Sequence, residues 1–327
     1  MRYLIRRLEF FVVTLWAAVT LNFILPRLLP GGPEVALRTR FHGRINPATV
    51  KSLEVALGIH SDQNLLQQYV SYLGNMLRGD FGVSLGFYPQ RVSYVIMLAL
   101  PWTLGLVGTA TVIAFVLGTL IGIFGAWRRG GVLDSLLPPV FVVISAFPYF
   151  WVGLLTILIF AVTLGWFPQA FGSSSEVTSE FSWPYISDVV YHSILPAFTI
   201  VLTSIGGWIL TMRNNMITTL AEDYIKMARA KGLSTSRIMF QYAARNAILP
   251  NLVGFAMSLG FVISGALLVE IVFNYPGLGT FLLQAVNNED FSLMQGPFLL
   301  ITVAVLLAVV AADFLTAWLD PRTRERA

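Results

Sequence analysis

The stretch AEDYIKMARAKGLSTSRIMFQYAARNAILP, Ala221–Pro250, is a charged, helix-prone island in an otherwise oily chain. Glu222, Asp223, Lys226, Arg229, Lys231, Arg237 and Arg245 lie in it, and Arg213 stands just before it. At a bilayer centre each such charge costs roughly 2.5 to 3.5 kcal/mol, so the segment belongs in water. Read as a helix over 221–231, it places Tyr224, Met227 and Ala228 on one face and Glu222, Lys226 and Arg229 on the opposite one. Glu222 precedes Lys226 by four residues, the favoured order for a helical ion pair, and Glu222 and Asp223 suit the positive end of the helix dipole. Gly232 follows as a C-terminal stop, and Ser234 is placed to cap a second helix. Charge and periodicity leave two readings open: a solvated linker between apolar segments, or a surface on which a partner docks.

The flanks of the island are apolar. Hydrophobic residues make up 56% of the 327 positions and charged ones 12%, and the mean hydropathy is +0.73. That balance excludes a water-soluble domain of this size and predicts an all-α integral membrane protein. A spanning helix needs about 20 apolar residues to cross roughly 30 Å of hydrocarbon. Six segments qualify, at approximately 8–29, 97–127, 133–164, 193–212, 247–272 and 297–318. The second and third exceed one straight span, which predicts tilt, kinks at Pro101 and Pro148, or helix beyond the bilayer.

Six spans put both termini on one side. Of the 21 Lys and Arg, fourteen fall there: Arg2, Arg6, Arg7, Arg128, Arg129, six between Arg213 and Arg245, and Arg322, Arg324 and Arg326. The positive-inside rule then predicts cytoplasmic termini. The others are Arg27 and six residues of the long polar segment after the first span. The first apolar run is read as a retained span, being longer than a signal core and lacking a convincing small-x-small site before Pro30. The absence of cysteine excludes disulfides and thiolate metal sites. The basic pI of about 9.4 traces to the cytoplasmic arginines, and no segment resembles a nucleic-acid module, so no nucleic-acid partner is expected.

The predicted organisation is 1–30 as the N-terminal tail and first span, 31–92 as a small external subdomain, and 93–327 as a five-helix core. The core carries the charged loop at 213–246. In the subdomain, helices are predicted near Pro47–Leu57 and Gln63–Leu77, the second with Leu66, Tyr69, Val70, Leu73 and Leu77 at helical spacing for packing. RGDFG at 78–82 reads as a turn. The loop 166–192 carries Glu176, Glu180 and Asp188 without a basic residue and reads as a mobile external loop. In the loop 274–295, Tyr275, Pro276, Gly277 and Gly279 form an external gate candidate, where the proline and glycines predict a sharp turn before an apolar FLLQAVNN that re-enters or lies against the protein.

Catalytic signatures are missing. The chain has no G-x-x-x-x-G-K-[ST] phosphate loop and no H-E-x-x-H, which excludes ATP hydrolysis and zinc proteolysis by this chain. His42, His60 and His192 are far apart in sequence, so no metal site is expected. Glu9, Asp313 and Glu270 all fall near predicted span ends, so no mid-membrane proton relay is apparent, which argues against a coupled secondary carrier. Candidates for a pathway lining are Ser145, Phe147, Tyr149 and Trp151 in the third span, Ser204 and Trp208 in the fourth, and Ser258 and Ser264 in the fifth. Each also suits plain helix packing.

KMARAKG, nine further residues and then YAARNAILP resemble the cytoplasmic loop of bacterial ABC importer permeases, a glycine-centred motif whose short helix fits a groove on the ATPase. Gly232 corresponds to the motif glycine. The general loop begins Glu-Ala-Ala and ends Ile-x-Leu-Pro, where this chain has Lys226, Met227, Ala228 and Tyr242 to Arg245. The form with ARAKG and A-x-R-N-A is similar to the dipeptide and oligopeptide (and nickel) branch. VEIVFNYPGLGTFLLQAVNNEDFSLMQGP (Val269–Pro297), QYVSYLGNMLRGDFGVSL (Gln68–Leu85) and DFLTAWLDPRTR (Asp313–Arg324) resemble the same branch. The resemblance implies a type I importer permease fold with six spans in a bacterial or archaeal plasma membrane. It also implies a second homologous permease, two cytoplasmic ABC ATPase subunits that bind ATP and Mg, an extracytoplasmic substrate-binding protein and surrounding lipid. ATPase coupling would then fall to Glu222, Asp223, Tyr224, Met227, Ala228, Arg229, Ala230, Lys231 and Gly232. Peptide is the implied cargo, with oligosaccharide, nickel or glutathione as alternatives within the family. A proton-coupled carrier and a membrane scaffold are the alternatives outside it.

Overall fold

The computed structural model describes residues 2–28, 64–177, 182–263 and 266–319. The helix expected near Pro47–Leu57, His42, His60 and Ser264 lie outside them. In chain order the helices are α1 (Arg2–Leu28), α2 (Leu65–Leu77), α3 (Val92–Trp127), α4 (Val132–Ala146), α5 (Tyr149–Thr156) continuing as a π-helical stretch Ile157–Thr163, and α6 (Trp183–Leu220). There follow α7 (Asp223–Ala230), a helical stretch whose centre Ile238–Ala244 is π-helical, α8 (Leu249–Phe261), α9 (Leu267–Val272), α10 (Leu278–Asn287) and α11 (Phe291–Leu319). Among the described residues the only β pairing is an isolated bridge between Val83 and Arg91.

Among the described residues, Val92–Trp127, Trp183–Leu220 and Phe291–Ala312 are long and apolar enough to cross a bilayer. The bent pair Asp134–Ala146 and Tyr149–Thr163 makes a fourth if it is one span. The runs at 8–29 and 247–272 carry the shorter apolar helices Glu9–Leu25 and Leu249–Phe261. Hydropathy alone merged α8 and α9, whereas α8 stops at Phe261 and α9 starts at Leu267.

The two prolines expected to kink behave differently. α3 continues through Pro101 for 36 residues, about 54 Å at 1.5 Å per residue. At Pro148 the chain breaks, because a residue before proline is pushed into extended backbone: Phe147 has φ −80° and ψ 139°, and the flanking helices meet at 99°. α6 runs from ten residues before the expected span 193–212 to eight beyond it. The loop expected to be mobile is thereby shortened and pinned. The Ser174 amide and hydroxyl donate to the Asp188 carboxylate at 2.6 and 2.8 Å, the Tyr191 hydroxyl to the Trp166 carbonyl at 2.6 Å, and the Phe171 amide to the Phe273 carbonyl at 2.9 Å.

Packing divides the chain into two compact units. One holds the residues up to Trp102 with Pro276–Leu306. In it α2 starts on a reciprocal cap, the Gln67 amide donating to Asn64 Oδ1 and the Asn64 amide to Gln67 Oε1. Of the expected packing row, Tyr69 and Leu73 are half-buried and the other members are exposed. Tyr69 and Tyr72 meet the Phe23 ring at 5.2 and 5.3 Å, while Leu66, Val70 and Leu77 are exposed. Asp290, 1% exposed, accepts from the Ser84 hydroxyl, the Gly86 amide and the Leu293 amide. It therefore holds the 84–86 loop and caps α11 at once.

The other unit holds Thr103–Tyr275 and the chain from Leu307 on. Here α3 lies on α6 through Gly118 and Gly122, a G-x-x-x-G pair that lets backbones approach. A Cβ at Gly118 would stand 2.5 Å from Trp208 Cβ. Gly206 brings α6 against Phe141 of α4, and Gly153 brings α5 against Phe273 and Thr199. The Thr156 and Thr199 hydroxyls meet at 3.0 Å in that seam.

Candidate functional site

The island forms an amphipathic helix, shorter than expected and turned differently. α7 begins after Glu222, whose extended backbone makes it the N-cap, and ends at Ala230 with Lys231 as C-cap. Its buried face is Ile225 and Ala228, with Tyr224 half-buried. Met227, assigned to the apolar face, is 60% exposed among the charges. The helix has a 100° step per residue, so a face centred on Ile225 and Ala228 leaves Met227 outside it. The expected Glu222–Lys226 pair is replaced by Lys226 with Asp223 at 2.8 Å, since Glu222 stands before the helix. Both partners are exposed, so the pair adds little stability.

The end of α7 is built as the glycine stop requires. The Leu233 amide reaches the Ala228 carbonyl at 3.3 Å and the Gly232 amide reaches that of Arg229 at 2.9 Å, the paired bonds of a Schellman cap. Gly232 has φ +71°, where a Cβ is costly. Ser234 occupies the next N-cap position but makes no side-chain cap bond.

Beneath α7 lies a buried cluster. Ile225 and Ala228 pack with Ile123 and Ala126 of α3, Met212 and Met216 of α6, and Ile238, Met239, Ala243, Ala244 and Ala247 of the following stretch. Tyr224 adds a polar tie: its hydroxyl accepts from Asn246 Nδ2 at 2.9 Å. Arg213 of α6 donates to the Asp134 carboxylate of α4, which also accepts from the Gly130 amide at 2.9 Å. α7 is thus fastened to the ends of the apolar helices, and its outward side presents Glu222, Asp223, Lys226, Met227, Arg229, Ala230, Lys231 and Gly232. Ile225, Asn246 and Asp134 were missed by sequence reasoning. Only Ile225, three residues before Ala228, had a local signal.

The pathway candidates fall into groups. Ser145, Phe147, Tyr149 and Trp151 gather at the exposed α4–α5 corner, where the Ser145 hydroxyl donates to the Val142 carbonyl at 3.0 Å. Ser204 is exposed on α6 and bonds its own helix at Ile200. Trp208, one turn on, packs edge-on to Phe115, which stacks on Phe255 at 4.3 Å. Ser258 donates to the Phe255 carbonyl at 2.8 Å.

In the gate segment the left-handed residue is Asn274, φ +44°, rather than either glycine. Gly277 has φ −93° and caps α10, and Gly279 lies inside it. The Tyr275 amide bonds the Glu270 carbonyl at 2.8 Å and that of Asn274 bonds Ile271 at 3.1 Å, a second Schellman cap. Tyr275 is buried and its hydroxyl meets that of Ser193 at 2.9 Å. Burial pushes that phenol above its usual range, against the pull of the Ser193 bond, so it stays a neutral hydrogen-bonding group.

Over 99% of each chain, the sequence is 33% identical to the di/tripeptide transport system permease protein DppB of Pseudomonas aeruginosa. It is 32% identical to the oligopeptide transport system permease protein AppB of Bacillus subtilis over 98% of each. Against the dipeptide transport system permease protein DppB of Escherichia coli it is 29% identical over 100% of this chain and 99% of that one. Residues 118–325, which include α7 and the cluster beneath it, match the family of binding-protein-dependent transport system inner membrane components, and the chain belongs to that family.

Proposed function

We propose that this permease is one subunit of an ATP-driven ABC importer that moves di- and oligopeptides inward by alternating access. It pairs with a second homologous permease, two cytoplasmic ATPases that bind ATP and Mg, and an extracytoplasmic binding protein. Six spans with both termini cytoplasmic complete the reading, in a bacterial plasma membrane. Peptide cargo is supported by the names of the relatives. The observation that carries the coupling is α7 itself, a helix whose inner face is buried and whose outer face sets Met227 among charges.

Closure of the ATPases on ATP would shift α7, and the buried cluster would pass the shift to the ends of α3 and α6. ATP binding must favour one of two docked states, or it moves nothing. The α4–α5 corner, Ser204, Trp208 and Ser258 are the proposed lining, and Tyr275, Pro276, Gly277 and Gly279 the external gate. The test is ATPase activity of the purified complex in lipid, with its binding protein loaded with peptides or with oligosaccharides. Stimulation by the peptide-loaded form is expected. Stimulation by the sugar-loaded form moves the cargo to oligosaccharide, and absence of any co-purifying ATPase overturns the importer reading in favour of a carrier or scaffold.

A further inference from the structure

Asn251 is 1% exposed and lies within a bundle of apolar helices. Its Nδ2 donates to the Thr119 hydroxyl of α3 and to the Trp208 carbonyl of α6, both at 3.4 Å. Its Oδ1 accepts no hydrogen bond among the described residues. Thr119 lies eight residues before the end of α3 at Trp127, about 12 Å along the helix from that end. A leucine would fill this place without leaving a polar atom unmatched, and groups so placed call for an explanation beyond packing.

The location of Asn251 supplies one. It is the third residue of α8 and lies one helical turn beyond Ala247, which belongs to the cluster that packs on Ile225 and Ala228 of α7. Its amide grips the Trp208 backbone, and the Trp208 ring sits 3.4 Å from where a Cβ on Gly254 of the same helix would stand. That ring meets Phe115 at 5.4 Å, and Phe115 stacks on Phe255. The exposed helix thus rests on the alanine face of the 238–247 stretch, and one helical turn on from that face stands a polar junction of α3, α6 and α8.

We propose that Asn251 is a positioning residue that carries displacement of α7 to the Trp208 segment of α6 and so to the aromatic trio Phe115, Trp208 and Phe255. The proposal rests on the importer reading. Asn251 touches no cargo; it fixes how α6 follows α8. With the amide gone, α8 and α6 slide past one another on apolar contacts, and α6 no longer tracks the state of the ATPases.

The chain has no cysteine, and Gly207 is exposed with nothing within 4 Å of a Cβ. Gly207→Cys therefore reports on α6 next to Trp208. In the full complex in lipid, the rotational correlation time of a nitroxide spin label attached to position 207 before reconstitution is compared with and without ATP trapped by vanadate. The parent is expected to change at least threefold. Asn251→Leu, and Asn251→Leu with Thr119→Val, are expected to retain ATPase subunits and lose that change. The double variant removes both polar side chains together, so a packing defect is relieved in it while a lost link is not. A response within twofold of the parent in either variant overturns the proposal. So does an absent response in the parent, or failure of both variants to assemble, which makes Asn251 a packing residue. Failure of the importer reading looks different: no ATPase subunit purifies with the parent chain.

Discussion

A methyl group added at Gly122 would stand 2.8 Å from the Ile209 carbonyl oxygen and from Met212 Cβ, whereas one at Gly105 on the same helix would meet nothing within 4 Å. Gly122→Ala is therefore expected to push α3 from α6 and cost about 2 kcal/mol, the range for overpacking a fitted seam. Gly105→Ala is expected to be neutral or to gain up to about 1 kcal/mol, since glycine is the poorer helix former. Thermal unfolding of the purified complex in detergent separates them; equal melting of the two variants would remove the seam as a close contact. The G-x-x-x-G spacing stands in the sequence within an apolar run, and sequence reasoning passed over it. The partner was not readable there, because Ile205, Ile209 and Met212 lie more than eighty residues away. Long separation also hid Asp134–Arg213, 79 residues apart, and Asn251–Thr119, 132 apart, whose members carry no local pattern.

At the scale of the element, α7 has two sides with different liabilities. Ile225→Asp sets a carboxylate in the buried cluster, at a cost of at least about 3 kcal/mol, and is expected to deplete folded permease. Met227→Asp changes an exposed position, so folding is expected to hold within about 0.5 kcal/mol while ATPase retention falls roughly tenfold, about 1.4 kcal/mol of docking. Pull-down of ATPase subunits on tagged permease, normalised to folded permease, checks both. Normal retention by Met227→Asp would remove the outer face as the docking surface. The existence of this helix and its Gly232 stop were legible, since composition, helix period and glycine agree there. Its rotation was misjudged because Tyr224 and Met227 were weighed by apolarity, and Ile225, the residue at the centre of the buried face, was passed over. The α4–α5 corner was legible as a proline site, yet α3 runs through Pro101, so proline alone does not decide where a helix breaks. The pathway residues were picked by type, and their hydrogen bonds to their own helices are what type alone hides.

For the whole molecule, orientation is testable directly because there is no native thiol. Trp183, 79% exposed at the start of α6, and Met227 after its end are expected on opposite sides of the membrane. In intact cells an impermeant maleimide is expected to label Trp183→Cys and not Met227→Cys; the reverse pattern would invert the topology. The composition and its charge asymmetry made the membrane class legible. The lengths of the helices were not, since hydropathy marks where a chain tolerates lipid and not where its backbone leaves the helix. The Gly118–Gly122 seam also bears on biosynthesis. Its two halves are 87 residues apart between Gly122 and Ile209, and at about 5 to 20 residues per second the ribosome delivers the second on the order of 4 to 17 s after the first. During that interval α3 has left the ribosome with its glycine groove unfilled by α6, so lipid or the insertion machinery must shield the groove until α6 emerges.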